Sequence, residues 1–99
     1  MKTPTQALFA HKIARLILYI ESEGYHVTFG DAFASTGHSR ESKHYERLAI
    51  DLNLFDAEWN WMQKTSDHQK FGEYWESLGG TWGGRFKRKD GNHYSWGER

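Results

Sequence analysis

The sequence predicts an α+β domain in which helices pack on a small antiparallel sheet. Three observations predict it: a capped amphipathic segment opens the chain, an alternating apolar segment occupies residues 48–55, and a turn-rich tail follows a second helical segment. The expected order of elements is helix, strand, loop, strand, helix, hairpin, which is typical of helices set against one antiparallel sheet. A chain of 99 residues is too short for two cores, so we expect a single domain over 1–99.

The first element is a helix over residues 3–23. Thr3 is suited to its N-cap, Pro4 to the first helical position, and Gly24 to the position just past its end. The apolar residues of this segment recur at three-to-four spacing and predict one buried stripe: Leu8, Phe9, Ile13, Leu16, Ile17 and Ile20. We expect this helix to act as scaffold.

Two strands are predicted next, separated by a long loop. Residues 25–29 alternate well enough for a strand, and residues 30–42 are small and polar without periodicity. From Leu48 to Phe55 apolar residues occupy every second position, which predicts a strand with one face in the core. Asp51 then lies on the opposite face.

The second helix and the tail complete the predicted fold. Ser66 and Gln69 form a capping-box pattern that predicts a helix running to about Leu78, with Gly79 as its stop signal. Its apolar face is expected to contain Phe71, Tyr74, Trp75 and Leu78. The tail, residues 81–96, predicts two short strands joined at Asp90-Gly91, a favoured two-residue hairpin turn.

Composition excludes several classes of function. Thirteen basic and thirteen acidic residues cancel, so nothing in the net charge favours nucleic acid or an anionic membrane surface. Without cysteine, a transition metal would be bound through His, Asp or Glu. The N-terminal segment has neither the apolar length of a membrane span nor a signal-peptide cleavage pattern, so we expect synthesis in the cytoplasm without a signal peptide and no membrane insertion.

Three residues match the ligand set of a catalytic zinc site. His44 precedes the 48–55 strand, Asp51 lies inside it on the non-core face, and His93 follows near the end of the chain. Two imidazoles and one carboxylate leave the fourth zinc position for water. Asp90 is the candidate general base for that water. Each residue also has a plainer interpretation: His44 as a surface residue, Asp51 on a solvent-facing sheet, Asp90 as a turn residue and His93 as a half-buried strand residue.

Together with their neighbours, these residues resemble the zinc D-alanyl-D-alanine carboxypeptidases and L-alanyl-D-glutamate endopeptidases, which include phage endolysins. The resemblance extends from Gly24 to His93. Its ordered markers are Ser42-x-His44, Ala49-x-Asp51, the segment WESLGGTWGGRF at 75–86, and Asp90-x-x-His93. The phage-type members are most similar through RLAIDLNLF at 47–55.

The resemblance implies the hedgehog/DD-peptidase fold, zinc on His44, Asp51 and His93, and an acid/base role for Asp90. It also implies a peptidoglycan stem peptide as substrate, with Ser42 helping to hold it. Relatives often have an arginine after the first strand, where this chain has Ala34. Either Arg40 or Arg47 binds substrate in its place, or the protein is slow or has a different ligand.

The sequence therefore predicts a monomeric zinc-dependent L-alanyl-D-glutamate endopeptidase that acts on the cell wall after release, as in phage lysis. The alternatives are a D-alanyl-D-alanine carboxypeptidase, an inactive zinc-containing binding module of the same fold, and a metal-free phage structural domain. We expect His11, His26, His38 and His68 to be surface or capping residues, and Trp59 and Trp61 to serve packing rather than line a cleft.

Overall fold

The computed structural model describes residues 2–30 and 48–97, with side chains from Pro4 onward. Two helices, five short strands and two 3-10 turns follow one another along these ranges. In chain order they are α1 (Lys2–Ser22), β1 (His26–Phe29), β2 (Ala49–Phe55), β3 (Trp61–Met62), a 3-10 turn (Thr65–His68), α2 (Gln69–Ser77), β4 (Thr81–Trp82), a 3-10 turn (Gly83–Arg85) and β5 (His93–Ser95). The predicted α+β class is confirmed.

Strand β2 organises the antiparallel sheet formed by the described strands. Along one edge it pairs with β1, which places His26 opposite Phe55. Along the other edge it pairs first with β5, where Asp51 lies opposite His93, and then with β3, where Phe55 lies opposite Trp61. Strand β4 pairs with the far side of β5. The β2 edge therefore changes partner between Asp51 and Leu54.

The core lies on the face of β2 that carries Ile50, Leu52 and Leu54, as the alternation predicted. Both helices contribute to the core on that face, and β5, beside β2 in the sheet, extends the face with Tyr94. Their buried side chains are Phe9, Ile13, Leu16, Ile20, Phe71, Trp75 and Tyr94. The predicted stripe of α1 is confirmed except at Leu8, which is 43% exposed. The apolar face of α2 is also confirmed, with Tyr74 and Leu78 partly buried against the core.

The start of α2 differs from the prediction. His68, not Ser66, occupies its N-cap, and the preceding 3-10 turn is capped by Asp67, whose Oδ2 accepts a hydrogen bond from the Lys64 backbone N–H at 3.1 Å. Ser66 therefore lies inside the 3-10 turn that precedes α2, where Asp67, at the third position, accepts from the N-cap residue Lys64 as the acidic partner of a capping box does.

The tail is not the predicted two-residue hairpin. Strands β4 and β5 do pair, with Trp82 opposite Tyr94, but residues 83–92 connect them and include a 3-10 turn. The Asp90-Gly91 pair therefore lies in a turn just before β5 rather than at the tip of a hairpin. These two residues do form a turn, as predicted. The strand predicted immediately before Asp90 is absent from the described residues.

Gly80 and Gly84 are required by two buried indoles. A Cβ at Gly80 would lie 2.1 Å from Trp75 Nε1, and a Cβ at Gly84 would lie 2.3 Å from the Trp82 ring. Gly79 ends α2 with a φ of +100°, which few other residues adopt readily. The indoles and glycines of this segment thus form one packing unit beneath β4 and β5. None of the helices in the described ranges has the length and apolar character needed to cross a membrane.

Candidate metal centre and catalytic turn

Two of the predicted metal ligands face each other across neighbouring strands. Asp51 on β2 and His93 on β5 are directly opposite in register, so both side chains lie on the same face of the sheet, away from Leu52 and Ile50. His93 Nδ1 is 3.5 Å from Asp51 Oδ1. Phe86 packs against the His93 ring with centroids 5.3 Å apart and limits its rotation.

A tight turn brings Asp90 to the same place. The backbone N–H of His93 donates to the Asp90 carbonyl at 3.1 Å, and the Asp90 N–H donates to the Gly83 carbonyl at 3.0 Å. The Trp82 indole N–H donates to the Gly91 carbonyl at 2.7 Å, and the Leu52 N–H donates to the Asn92 carbonyl at 2.9 Å. Every residue of the turn is therefore anchored through its backbone.

Close packing depends on two glycines around this turn. A Cβ at Gly83 would lie 2.2 Å from the Asp90 carbonyl oxygen and 2.8 Å from His93 Cβ. A Cβ at Gly91 would lie 2.6 Å from Thr65 Cα. Any side chain at either position would displace the turn that carries Asp90.

The donor atoms of Asp51, Asp90 and His93 all lie within 4.8 Å of one another, so this group can hold a metal ion. Zinc bonds of roughly 2.0–2.1 Å in a tetrahedron place neighbouring donor atoms about 3.3 Å apart. The 3.5 Å between Asp51 Oδ1 and His93 Nδ1 matches that spacing. The 4.0 Å from Asp90 Oδ2 to His93 Nδ1 is longer. The donor set therefore fits zinc, with Asp51 and His93 as the better-spaced pair.

Solvent exposure, like the donor spacing, distinguishes Asp90 from Asp51 and His93. The side chains of His93 and Asp51 are 11% and 19% exposed, whereas that of Asp90 is 50% exposed. A metal ligand gains from exclusion of competing water, while a proton-transfer group must reach the solvent or the substrate. The half-exposed Asp90 side chain has the exposure expected of a proton-transfer group.

A cavity of about 230 Å³ adjoins the Asp90 turn, at the point where β2 changes partner from β5 to β3. Asn53 and Trp61 contribute from the sheet, Thr65 and His68 from the 3-10 turn, and Lys89 and the Asp90 turn close the remaining side. Its wall is rich in groups that can hydrogen-bond a peptide. The cavity thus extends the site away from the metal group.

His68, expected to be a surface or capping residue, occupies the N-cap of α2 but is buried rather than at the surface. It is 2% exposed, and its Nδ1 is hydrogen-bonded to the Tyr94 hydroxyl at 2.8 Å. Desolvation by burial lowers its pKa to about 4, partly opposed by the charge of Asp67. Burial likewise raises the pKa of Tyr94 above its ordinary value. Both groups are therefore neutral near neutral pH, and they tie the start of α2 to the strand that carries His93.

Trp59 and Trp61, expected to serve packing, are 58% and 57% exposed and so lie outside the core, although the Trp59 indole packs on the rings of His26 and Phe55. Trp61 lies on β3, an edge strand of the described sheet. Other expected site residues lie outside the described residues: His44, Ser42, Arg40, Arg47 and the departure at Ala34. His38 lies there too.

A shielded carboxylate–imidazole pair beside a half-exposed carboxylate, set on a small antiparallel sheet, is an arrangement that suits a metallohydrolase. Residues 36–96, more than half of the chain, match the model of a family described as D-alanyl-D-alanine carboxypeptidase. The chain therefore belongs to this family of zinc peptidases, whose substrates are peptidoglycan peptides. No curated protein matches the chain.

Proposed function

We propose that this chain is a zinc-dependent L-alanyl-D-glutamate endopeptidase of the phage endolysin type, formed by one domain and active as a monomer on the cell wall after release. The observation that carries the proposal is the convergence of Asp51, His93 and Asp90 within 4.8 Å, with Asp90 alone of the three half exposed. His44 is proposed as the third zinc ligand, from its place in the family motif.

The chain's own residues divide the work of hydrolysis. His44, Asp51 and His93 hold the metal, which when bound polarises the scissile carbonyl and lowers the pKa of water. Asp90 Oδ2 accepts the proton of the attacking water and then delivers it to the leaving nitrogen. The backbone anchors of its turn keep that carboxylate in position, so little motion is needed between the two proton transfers.

We propose that Ser42, Arg40 and Arg47 contact the substrate. Arg40 or Arg47 takes the role of the arginine that relatives have at the position of Ala34 in this chain. A donor of this kind contributes about 3 kcal/mol to the transition state in other hydrolases. The Ala34→Arg variant tests this substitution. Unchanged turnover in this variant would show that another residue already stabilises the transition state in place of that arginine.

The first test is the release of new amino termini from purified peptidoglycan, with chelator and zinc add-back, followed by mass spectrometry of the products. Fragments beginning with D-glutamate support the endopeptidase. Loss of only the terminal D-alanine would assign the carboxypeptidase instead. Zinc binding without release would favour the inactive binding module, which the Ala34 departure supports.

The roles within the site are tested by His44→Ala and Asp90→Ala, with Glu21→Gln as a control at an exposed acid on α1. We expect His44→Ala to abolish both zinc retention and activity. Asp90→Ala is expected to retain zinc and lower kcat by about 10²–10⁴-fold, the usual contribution of a general base. Equal zinc loss in the two variants would contradict this division of roles.

A further inference from the structure

One face of the sheet carries both the metal group and a row of aromatic side chains. Because side chains alternate along a strand, Asp51, Asn53 and Phe55 of β2 share the face opposite the core. Register partners share a face as well, so His26 on β1 and Trp61 on β3 flank Phe55 on that same face. Phe55, His26, Trp61 and Trp59 are called the aromatic row below.

The turn between β2 and β3 holds Trp59 over this face. Asp56 Oδ1 accepts hydrogen bonds from the backbone N–H groups of Glu58 and Asn60 at 3.0 and 2.9 Å. Trp59 has a φ of +66°, a rare conformation for a non-glycine residue that the surrounding turn must impose. Its indole stacks on the His26 ring with centroids 4.3 Å apart and planes 5° apart.

The aromatic row remains open to solvent. Trp59 and Trp61 are 58% and 57% exposed, although each is large enough to contribute strongly to a core. Exposed aromatic groups held in a fixed orientation mark binding surfaces more often than packing defects. The other tryptophans of β4 and α2, Trp82 and Trp75, are 1% and 0% exposed.

The row is continuous with the proposed site. Asp51 and Phe55 are separated by about 13 Å along the strand, from a rise of roughly 3.3 Å per residue. Trp61 belongs to the row and also lines the cavity beside Asp90. A substrate whose scissile bond lies beside Asp51, Asp90 and His93 can therefore extend along the sheet to these rings.

We propose that the aromatic row binds the sugar rings of the glycan strand that carries the stem peptide. This inference rests on the proposed function. Sugar rings present flat C–H faces that stack on indoles, and a stem peptide cut at its second residue has about 7 Å of chain between the cut bond and the nearest ring. A cut at the terminal D-alanine would leave about 17 Å. The row lies about 13 Å from Asp51 along β2, between these two reaches, so the glycan strand comes within range of the row whichever bond is cut, and the cleavage products decide between the two bonds.

Direct binding is tested with peptide-free glycan oligosaccharides, observed through the indole N–H signals of the full chain in solution NMR. The chain has five tryptophans, and we expect the signals of Trp59 and Trp61 to shift while those of Trp75 and Trp82 stay. Trp59→Ala and Trp61→Ala are each expected to weaken binding about tenfold. Asp56→Ala should also weaken it, because it removes the acceptor that shapes the turn without removing an aromatic ring.

The matched control is Leu18→Ala, which shortens an apolar side chain that is 67% exposed on α1. It should bind like the wild type. Absence of glycan binding by the wild type, or equal binding by all variants, would overturn the proposal. Self-association that Trp61→Ala abolishes, without glycan binding, would also overturn it and assign the row to a second copy of the chain.

A cleavage assay separates this proposal from the peptidase proposal. Wild-type and Trp61→Ala proteins are compared on a sugar-bearing stem peptide and on the same peptide without sugar. We expect Trp61→Ala to lose about tenfold in kcat/KM on the sugar-bearing substrate only. Equal effects on both substrates would contradict glycan recognition. A wild type that binds glycan but cuts neither substrate would refute the peptidase while supporting the aromatic row.

Discussion

Acid sensitivity is expected to arise from His68, the buried histidine at the start of α2. In the unfolded chain its pKa is near 6.5, and in the folded protein it is about 4. The unfolded chain therefore binds more protons between these values, and the free energy of unfolding falls as the pH falls from about 6.5 to 4. The difference of about 2.5 pH units corresponds to about 3 kcal/mol, at roughly 1.4 kcal/mol per unit.

The substitution His68→Gln isolates this contribution. Glutamine does not titrate, and its amide can still form a hydrogen bond with the Tyr94 hydroxyl, so the buried partner is not left alone. Urea unfolding is measured at several pH values between 4 and 7, and the variant curve should lose about 3 kcal/mol less than the wild type. His11→Gln, on the exposed side of α1, should reproduce the wild-type profile. Parallel curves for wild type and His68→Gln would refute the reasoning.

Two further substitutions test how the Asp90 turn is supported. Gly83→Ala places a methyl group against the Asp90 carbonyl, so we expect a stability loss of about 1–3 kcal/mol and roughly 10²-fold lower turnover in the fraction that remains folded. Turnover equal to wild type in that fraction would contradict the close-packing argument. Trp82→Phe removes the indole donor to the buried Gly91 carbonyl and should cost about 1–3 kcal/mol in urea unfolding. A cost below about 0.5 kcal/mol would show that this hydrogen bond does not hold the turn.

Much of the candidate site was predictable from local pattern. The alternation through β2 placed Asp51 on the face away from the core, because a period of two assigns every residue of a strand to a face. The same alternation places Asn53 and Phe55 on that face, where the structure has them.

Other features depended on contacts distant in sequence. His68 becomes buried only because β5 brings Tyr94 over the start of α2, and no local pattern carries that information. The predicted two-residue hairpin was wrong because the connection between β4 and β5, residues 83–92, begins with a 3-10 turn at Gly83–Arg85 whose packing against Trp82 and His93 outweighs strand preference.

The sequence by itself determined the fold class, the helix and strand that support the site, the family resemblance and the chemical identity of the proposed ligands. These follow from periodicity, capping and residue type, which are local. Only the tertiary structure decided that Asp51, Asp90 and His93 meet within 4.8 Å, that Asp90 is the exposed member, and that Trp59 and Trp61 lie open on the same face. Distances and exposure arise from strand register and packing between distant segments, which a linear pattern does not specify.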